Sequence, residues 1–337
     1  EQLVGRLGCD VYGPYVLVGV ALFAEFVVFD GYNHFIADNL SWVNDPVSVM
    51  LVPLILIAVL GVRYMADEYA DAVAELRVDE RPDLNAHTTF EQMFPWRTKL
   101  GIYVVGIGLY YLNLFFVVTL AKEFAIEGVV VGVGQEFLLV PLVYVPLMID
   151  FVLVFVAIHV FLPRRIVNTD LSLFFYDPRN MGGLALVGEL LKRSYYVYTA
   201  GLLTYFVYIY GPTILGALVE SPYEPGGAIG LAAFFTAAWL AGFLSIAHSM
   251  YRIHRVMSDE KERRIRRLED RIRKAVDNPY DIENADIVDE ETFNDCRERL
   301  EYVRNTREYP TTFTMWTQIA VSAVVPQALN IAVQAAG

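Results

Sequence analysis

Seven stretches of this chain are too apolar and too long to be hidden in a water-soluble core. They fall at about 12–30, 47–65, 100–121, 137–162, 196–219, 228–250 and 312–334. A hydrocarbon layer of about 30 Å takes about 20 residues of helix at about 1.5 Å each, and the runs meet that length. Lipid offers backbone N–H and C=O groups no partner, so such runs must be helices that satisfy their own hydrogen bonds. Hydrophobic residues make up 55% of the 337, above the share of an ordinary soluble domain. The expected fold is all-α: a multi-pass protein of the cell membrane, one seven-helix domain over residues 1–337.

Lys and Arg gather on the cytoplasmic side of membrane spans. If the amino end is inside, 25 of the 26 Lys and Arg residues fall in cytoplasmic segments, and only Lys122 falls outside. That asymmetry predicts a cytoplasmic N-terminus and an external C-terminus. Trp96 and Trp316 then lie near the inner boundary and Trp42 near the outer one, the depth that indole rings favour. The first apolar run lacks a basic flank followed by a small-residue cleavage site, so no cleavable signal peptide is expected.

The net charge of −13 argues against nucleic acid as a partner. It suits either a salt-loving, haloarchaeal source or an acidic partner-binding loop. On the outer side Asp30, Asp38, Asp45, Glu123, Glu127, Glu136, Glu220 and Glu224 face only Lys122. Such a surface concentrates cations in ordinary saline and loses that reach in molar salt. Cys9 and Cys296 both face the cytoplasm on this topology, so no disulfide is expected. The five histidines show no paired ligand spacing, so neither a metal nor another cofactor is expected. No His, Ser and carboxylate set has catalytic spacing, so no enzyme is expected.

The cytoplasmic part reads as built. Met65, Tyr69, Val73 and Leu76 continue the second span along one helical face, and Ile253, Met257, Ile265, Leu268, Ile272 and Val276 continue the sixth. Five acid–base pairs at four-residue spacing support that second extension: Asp259/Arg263, Glu260/Arg264, Glu262/Arg266, Glu269/Arg273 and Asp270/Lys274. Asp277 to Val288, with Pro279, breaks the helix, and Asp289 can cap a new one. Residues 251–310 thus form a helical hairpin. Phe293, Leu300 and Val303 on its apolar face suit self-packing or a subunit interface. Asp177-Pro178-Arg179-Asn180-Met181-Gly182-Gly183 marks a tight turn or a ligand contact, and Gly128-x-x-x-Gly132-x-Gly134 reads as a flexible turn of an outer loop.

Ionisable groups inside spans are costly and become site candidates by default. Asp150 lies mid-way along the fourth span, behind Pro141 and Pro146, and Glu25 lies in the outer half of the first. His159 and His248 sit near inner ends. Tyr205 and Tyr208 of the fifth span need hydroxyl partners. In the seventh span Thr314, Gln318, Ser322, Asn330 and Gln334 step by about four residues, with Pro326 in the open rung and Gln327 beside it. That slanting polar line suits the wall of a pore or hydrogen-bonded helix packing.

Seven spans, an internal N-terminus, short outer loops, cytoplasmic extensions and a polar last span resemble the superfamily of seven-helix ligand-gated ion channels that includes insect odorant and gustatory receptors. The family's last helix carries Thr-Tyr, five apolar residues, then Gln-Phe. Here Thr311 and Gln318 hold that separation, while Thr312 stands for Tyr and Ile319 for Phe. The resemblance implies a homo-tetramer in the lipid bilayer, the seventh helix around a central cation pore, and cytoplasmic helices holding subunits together. The alternatives are a scaffold or sensor acting through the hairpin, and a carrier using Asp150.

Overall fold

In the computed structural model the described residues are 12–39, 41–43, 46–77, 93–118, 120, 124–125, 128–169, 171–215, 228–281, 283–310, 317 and 324. They are almost wholly helical. Seven helices follow one another: α1 (Gly13–Ala37), α2 (Ser48–Glu75), α3 (Trp96–Phe116), α4 (Val129–Asn168), α5 (Ala185–Leu215), α6 (Ala228–Lys274) and α7 (Glu290–Asn305). Between α6 and α7 a two-stranded antiparallel ribbon pairs β1 (Val276–Asp277) with β2 (Asp286–Ile287), Val276 opposite Ile287. Helices α1 to α4 are long and apolar enough to cross a membrane. The expected fifth and sixth spans fall on α5 and the first half of α6. Of the expected seventh, only Thr317 and Val324 are described, so the polar line of Thr314, Gln318, Ser322, Gln327, Asn330 and Gln334 lies outside the described residues.

Wide helical turns are built into the apolar helices. Backbone N–H groups reach five residues back from Asp30 to Glu25, from Val145 to Val140 and from Leu162 to Ala157. Such turns cost hydrogen-bond geometry and recur at functional places in helices. Pro141 sits inside one of them, where its missing N–H and its ring break the regular ladder.

The Gly128-to-Gly134 segment is not a flexible turn. Gly132 and Gly134 lie inside α4, which starts at Val129. A Cβ on Gly134 would stand 2.8 Å from Phe29 Cε2, and one on Gly132 would stand 2.9 Å from Phe124 Cε1. The glycines thus let α1 and neighbouring chain press against the start of α4. Gly128, at φ +84°, turns the chain into that helix, and Asn39 lies against it.

Antiparallel packing of α2 on α5 forms the spine. Glu75 accepts from Leu186 N–H at 3.2 Å, Glu68 pairs with Arg193, and Gly61 lies against Val197. Helix α5 then runs along α6, with the Tyr198 hydroxyl donating to Ala238 O at 2.7 Å and the Phe206 ring 5.2 Å from that of Phe235. The deepest core gathers Met65, Ile158, Leu162, Leu191, Met250 and Met257, all closed off from solvent.

Beyond the apolar layer, the ends of α2 and α4 meet the start of α5 and the middle of α6, and the rest of α6 packs along α7. The hairpin seam holds Leu268, Cys296, Leu300 and Val303, with Ile265, Ile272 and Phe175 around it. The Asp289 carboxylate caps α7 by accepting from Thr292 N–H at 3.0 Å. Of the expected acid–base pairs, Glu260/Arg264 and Glu262/Arg266 form as spaced. Glu269 also reaches Arg304 of α7, and Asp259 pairs with Arg255 one turn earlier. Spacing along one helix does not register a partner on the next.

A short strap, Thr306 to Pro310, closes this layer. Lys261 donates to Thr306 O at 2.8 Å, His254 Nδ1 to Glu308 O at 2.9 Å, and the His254 ring stacks on Tyr309 at 4.0 Å. Arg307 N–H donates to Asn180 O at 2.7 Å, and the Pro310 carbonyl lies over Gly188.

Candidate functional site

Helix α4 carries three polar centres, each made with a different neighbour. Nearest the amino end of α4, the Tyr144 hydroxyl donates to Glu25 Oε2 of α1, a carboxylate only 9% exposed. Asp30 and Glu136 lie near enough to add like charge to Glu25. Glu136 in turn accepts from the Tyr110 hydroxyl of α3. Among the described residues no Lys, Arg or His pairs with Glu25, Asp30 or Glu136. Next to Glu136, Gln135 Oε1 is buried without a hydrogen-bond partner among the described residues. Glu25, Gln135, Glu136 and Tyr144 all lie in wide turns. A carboxylate in an apolar layer with no cation beside it is held cheaply only by taking a proton or a small cation.

The middle centre is Asp150. Lys99 Nζ of α3 stands 2.6 Å from its Oδ1, the Tyr103 hydroxyl also donates to that oxygen, and the Lys99 ammonium lies 5.6 Å from the Tyr103 ring centre. Lys99 and Tyr103 are one turn apart, so both reach the same carboxylate. Asp150 is therefore charge-balanced, and it anchors α3, a helix with no fully buried residue before its last wide turn. The centre nearest the carboxyl end of α4 is His159, closed off from solvent. Ser194 of α5 lies 3.0 Å from its Nε2 and Ser249 of α6 lies 3.3 Å from its Nδ1, while the Phe155 ring packs 4.3 Å away. One serine accepts from the protonated ring nitrogen and the other donates to the bare one, with carbonyls of their own helices also within reach, so His159 ties three helices together. His248 is exposed and accepts from Arg252.

The remaining candidates fall elsewhere. Tyr205 and Tyr208 are half-buried. Leu300 and Val303 point into the seam of their own hairpin, and Phe293 is half-buried. Asp177 occupies the turn it begins. Its carboxylate accepts from Arg179 N–H at 2.9 Å and from Met181 and Gly183 N–H at 3.0 Å. Burial raises its pKa, but the N–H groups of Gly183, Arg179 and Met181 and the Arg179 charge outweigh that and leave it below the usual carboxylate value. The N–H groups that could have cradled an external anion are filled by the chain's own side chain.

Sequence reasoning named Glu25 and Asp150 but neither partner set. Tyr144 reads as an ordinary apolar-span residue, and Lys99 as a loop cation that helps orient the chain. The four-residue step from Lys99 to Tyr103 was the available signal for a shared target. No protein-family model matches the chain, and neither a curated protein nor a solved structure matches it.

Proposed function

We propose that this chain is a seven-span cation-handling protein of the cell membrane, with its N-terminus in the cytoplasm and its C-terminus outside. Glu25 is the intramembrane binding group for a proton or a small monovalent cation, with Tyr144, Asp30 and Glu136 around it. The observation that carries this reading is a buried carboxylate, in a wide helical turn, whose hydrogen-bond partner is a hydroxyl and whose charged neighbours among the described residues are acids. The side-to-side alternation is supported by the meeting of the α2 and α4 carboxyl ends and the middle of α6 with the α5 amino end. The same proposal includes a homo-oligomer, a tetramer on the channel resemblance, with the polar line of the last span along the conduction path. Asp150, balanced by Lys99, stands outside that path as a structural anchor.

Purified protein in liposomes loaded with a pH indicator or a potassium-sensitive dye tests the reading under an imposed voltage. Wild-type protein passes current, and Glu25→Gln lowers it at least tenfold while the protein keeps its thermal transition. Gln318→Leu changes the conductance. A silent, strictly monomeric wild-type protein ends the proposal.

A further inference from the structure

Glu25 and Glu136 are built alike. Each carboxylate hangs on one tyrosine hydroxyl from a neighbouring helix, Glu25 of α1 on Tyr144 of α4 and Glu136 of α4 on Tyr110 of α3. The two lie near enough to repel, and Asp30 adds a further charge of the same sign. Helix α2 offers nothing to offset them. Its Ile55 and Val59 share a packed cluster with Tyr144, and residues 46–62 contain no ionisable side chain. An apolar layer cannot cheaply hold two such neighbours charged at once.

Either a proton or a metal ion would relieve that cost, and the oxygens around Glu25 choose between them. A metal ion stripped of its water needs several oxygens turned towards it with lone pairs open. Here the nearby backbone oxygens are already met by hydrogens. Glu25 O accepts from Asp30 N–H, Phe26 O from Trp42 Nε1–H at 3.2 Å, and Val140 O from Val145 N–H. Among the described residues no three Asp, Glu, His or Cys side chains converge to hold a metal ion.

A proton needs only one lone pair. The Tyr144 hydroxyl occupies Glu25 Oε2, and among the described residues Oε1 has no hydrogen bond. The layer is also short of donors. Gln135 Oε1, beside Glu136, is buried with no hydrogen-bond partner among the described residues. A carboxylic acid carries an O–H that donates, and a carboxylate can only accept. Taking up a proton therefore removes a charge and adds a donor in the same step.

We infer that the cation bound at Glu25 is a proton, and that Glu25 and Glu136 hold one proton between them, one of the two a carboxylic acid while the other is a carboxylate. This rests on the reading of Glu25 as the intramembrane binding group, and it excludes sodium and potassium from that group. Such a pair titrates as a unit, because the charge of either acid decides how tightly the other keeps its proton. Tyr144 and Tyr110 are positioning residues. Each donates to the charged form of its carboxyl and so keeps the proton exchangeable.

The test reads protonation apart from transport. Full-length protein carrying isotope-labelled glutamate, in nanodiscs of zwitterionic lipid, is titrated with acid while infrared spectra follow the carboxylic-acid carbonyl band. A label-sensitive band that Glu25→Gln removes reports the proton. Glu136→Gln takes away the like charge and weakens proton binding about tenfold, whereas Tyr144→Phe takes away a donor to the carboxylate and strengthens it. Replacing choline by sodium or potassium at constant ionic strength leaves the midpoint in place. Competition from either ion overturns the inference and leaves Glu25 as a cation site. Identical titrations of the wild type and Glu136→Gln overturn the shared proton. In the liposome assay, potassium current without proton current overturns the inference alone, and a silent protein removes the reading of Glu25 with it.

Discussion

Gly188 is the point at which the strap before the last expected span touches α5, and adding one methyl group there tests how tightly the two are coupled. In Gly188→Ala the new Cβ would stand 2.9 Å from the Pro310 carbonyl carbon and closer still to its oxygen. Carbon atoms rest about 3.5–4.0 Å apart, so the strap must withdraw by about 1 Å. It cannot do so freely. Thr306, Arg307 and Glu308 are bonded at 2.7–2.9 Å to Lys261, Asn180 and His254. Overpacking of this kind costs about 1–3 kcal/mol, and a net protein hydrogen bond is worth about 0.5–1.5 kcal/mol. Losing one of the three while absorbing the clash gives about 2–3 kcal/mol. At roughly 2–4 °C for each kcal/mol in a chain of this order, the thermal transition in detergent falls by about 4–12 °C. Limited proteolysis should open the strap at Arg307 first. Gly108→Ala is the control, since a Cβ there meets nothing within 4 Å, and it should leave the transition unchanged or raise it slightly because alanine favours helix. A Gly188→Ala protein with the wild-type transition and wild-type cleavage at Arg307 would refute the close docking of the strap.

Further outcomes follow from the other contacts. Leu300→Ala opens a cavity in the hairpin seam and should cost about 2 kcal/mol, the low end for a buried leucine because the seam is small; hydrogen exchange should quicken in α7 and not in α2. Lys99→Met strands the Asp150 carboxylate, and Asp150→Asn in the same chain should restore much of the loss, a coupling of at least about 1 kcal/mol in a double-mutant cycle of thermal stability. Asp177, its pKa held below the unfolded value of about 3.9, contributes stability that is fully present above that value and is lost as pH falls through the lower folded value. Acid titration followed by tyrosine fluorescence should therefore steepen below about pH 4 in the wild type and flatten in Asp177→Asn.

Composition and local pattern alone determined a good deal. Long apolar runs require helices wherever they occur, because lipid leaves the backbone no other partner. The break at Asp277, the cap at Asp289 and the stripe through Leu300 and Val303 were legible for a similar reason: caps, turns and faces depend on residues a few positions apart. The self-filled Asp177 turn could not be told from a ligand loop in the sequence, because the difference is where one side chain points. Tertiary structure alone decided that Glu25 meets Tyr144, 119 residues away, that Lys99 balances Asp150, and that Gly132 and Gly134 serve close packing. Those choices depend on the rotation of each helix about its axis. That rotation is set by wide turns and by backbone approach at glycine, which a 3.6-residue period does not record. A buried carboxylate was thus visible as a cost from the start, while the acidic company it keeps appears only when the helices are brought together.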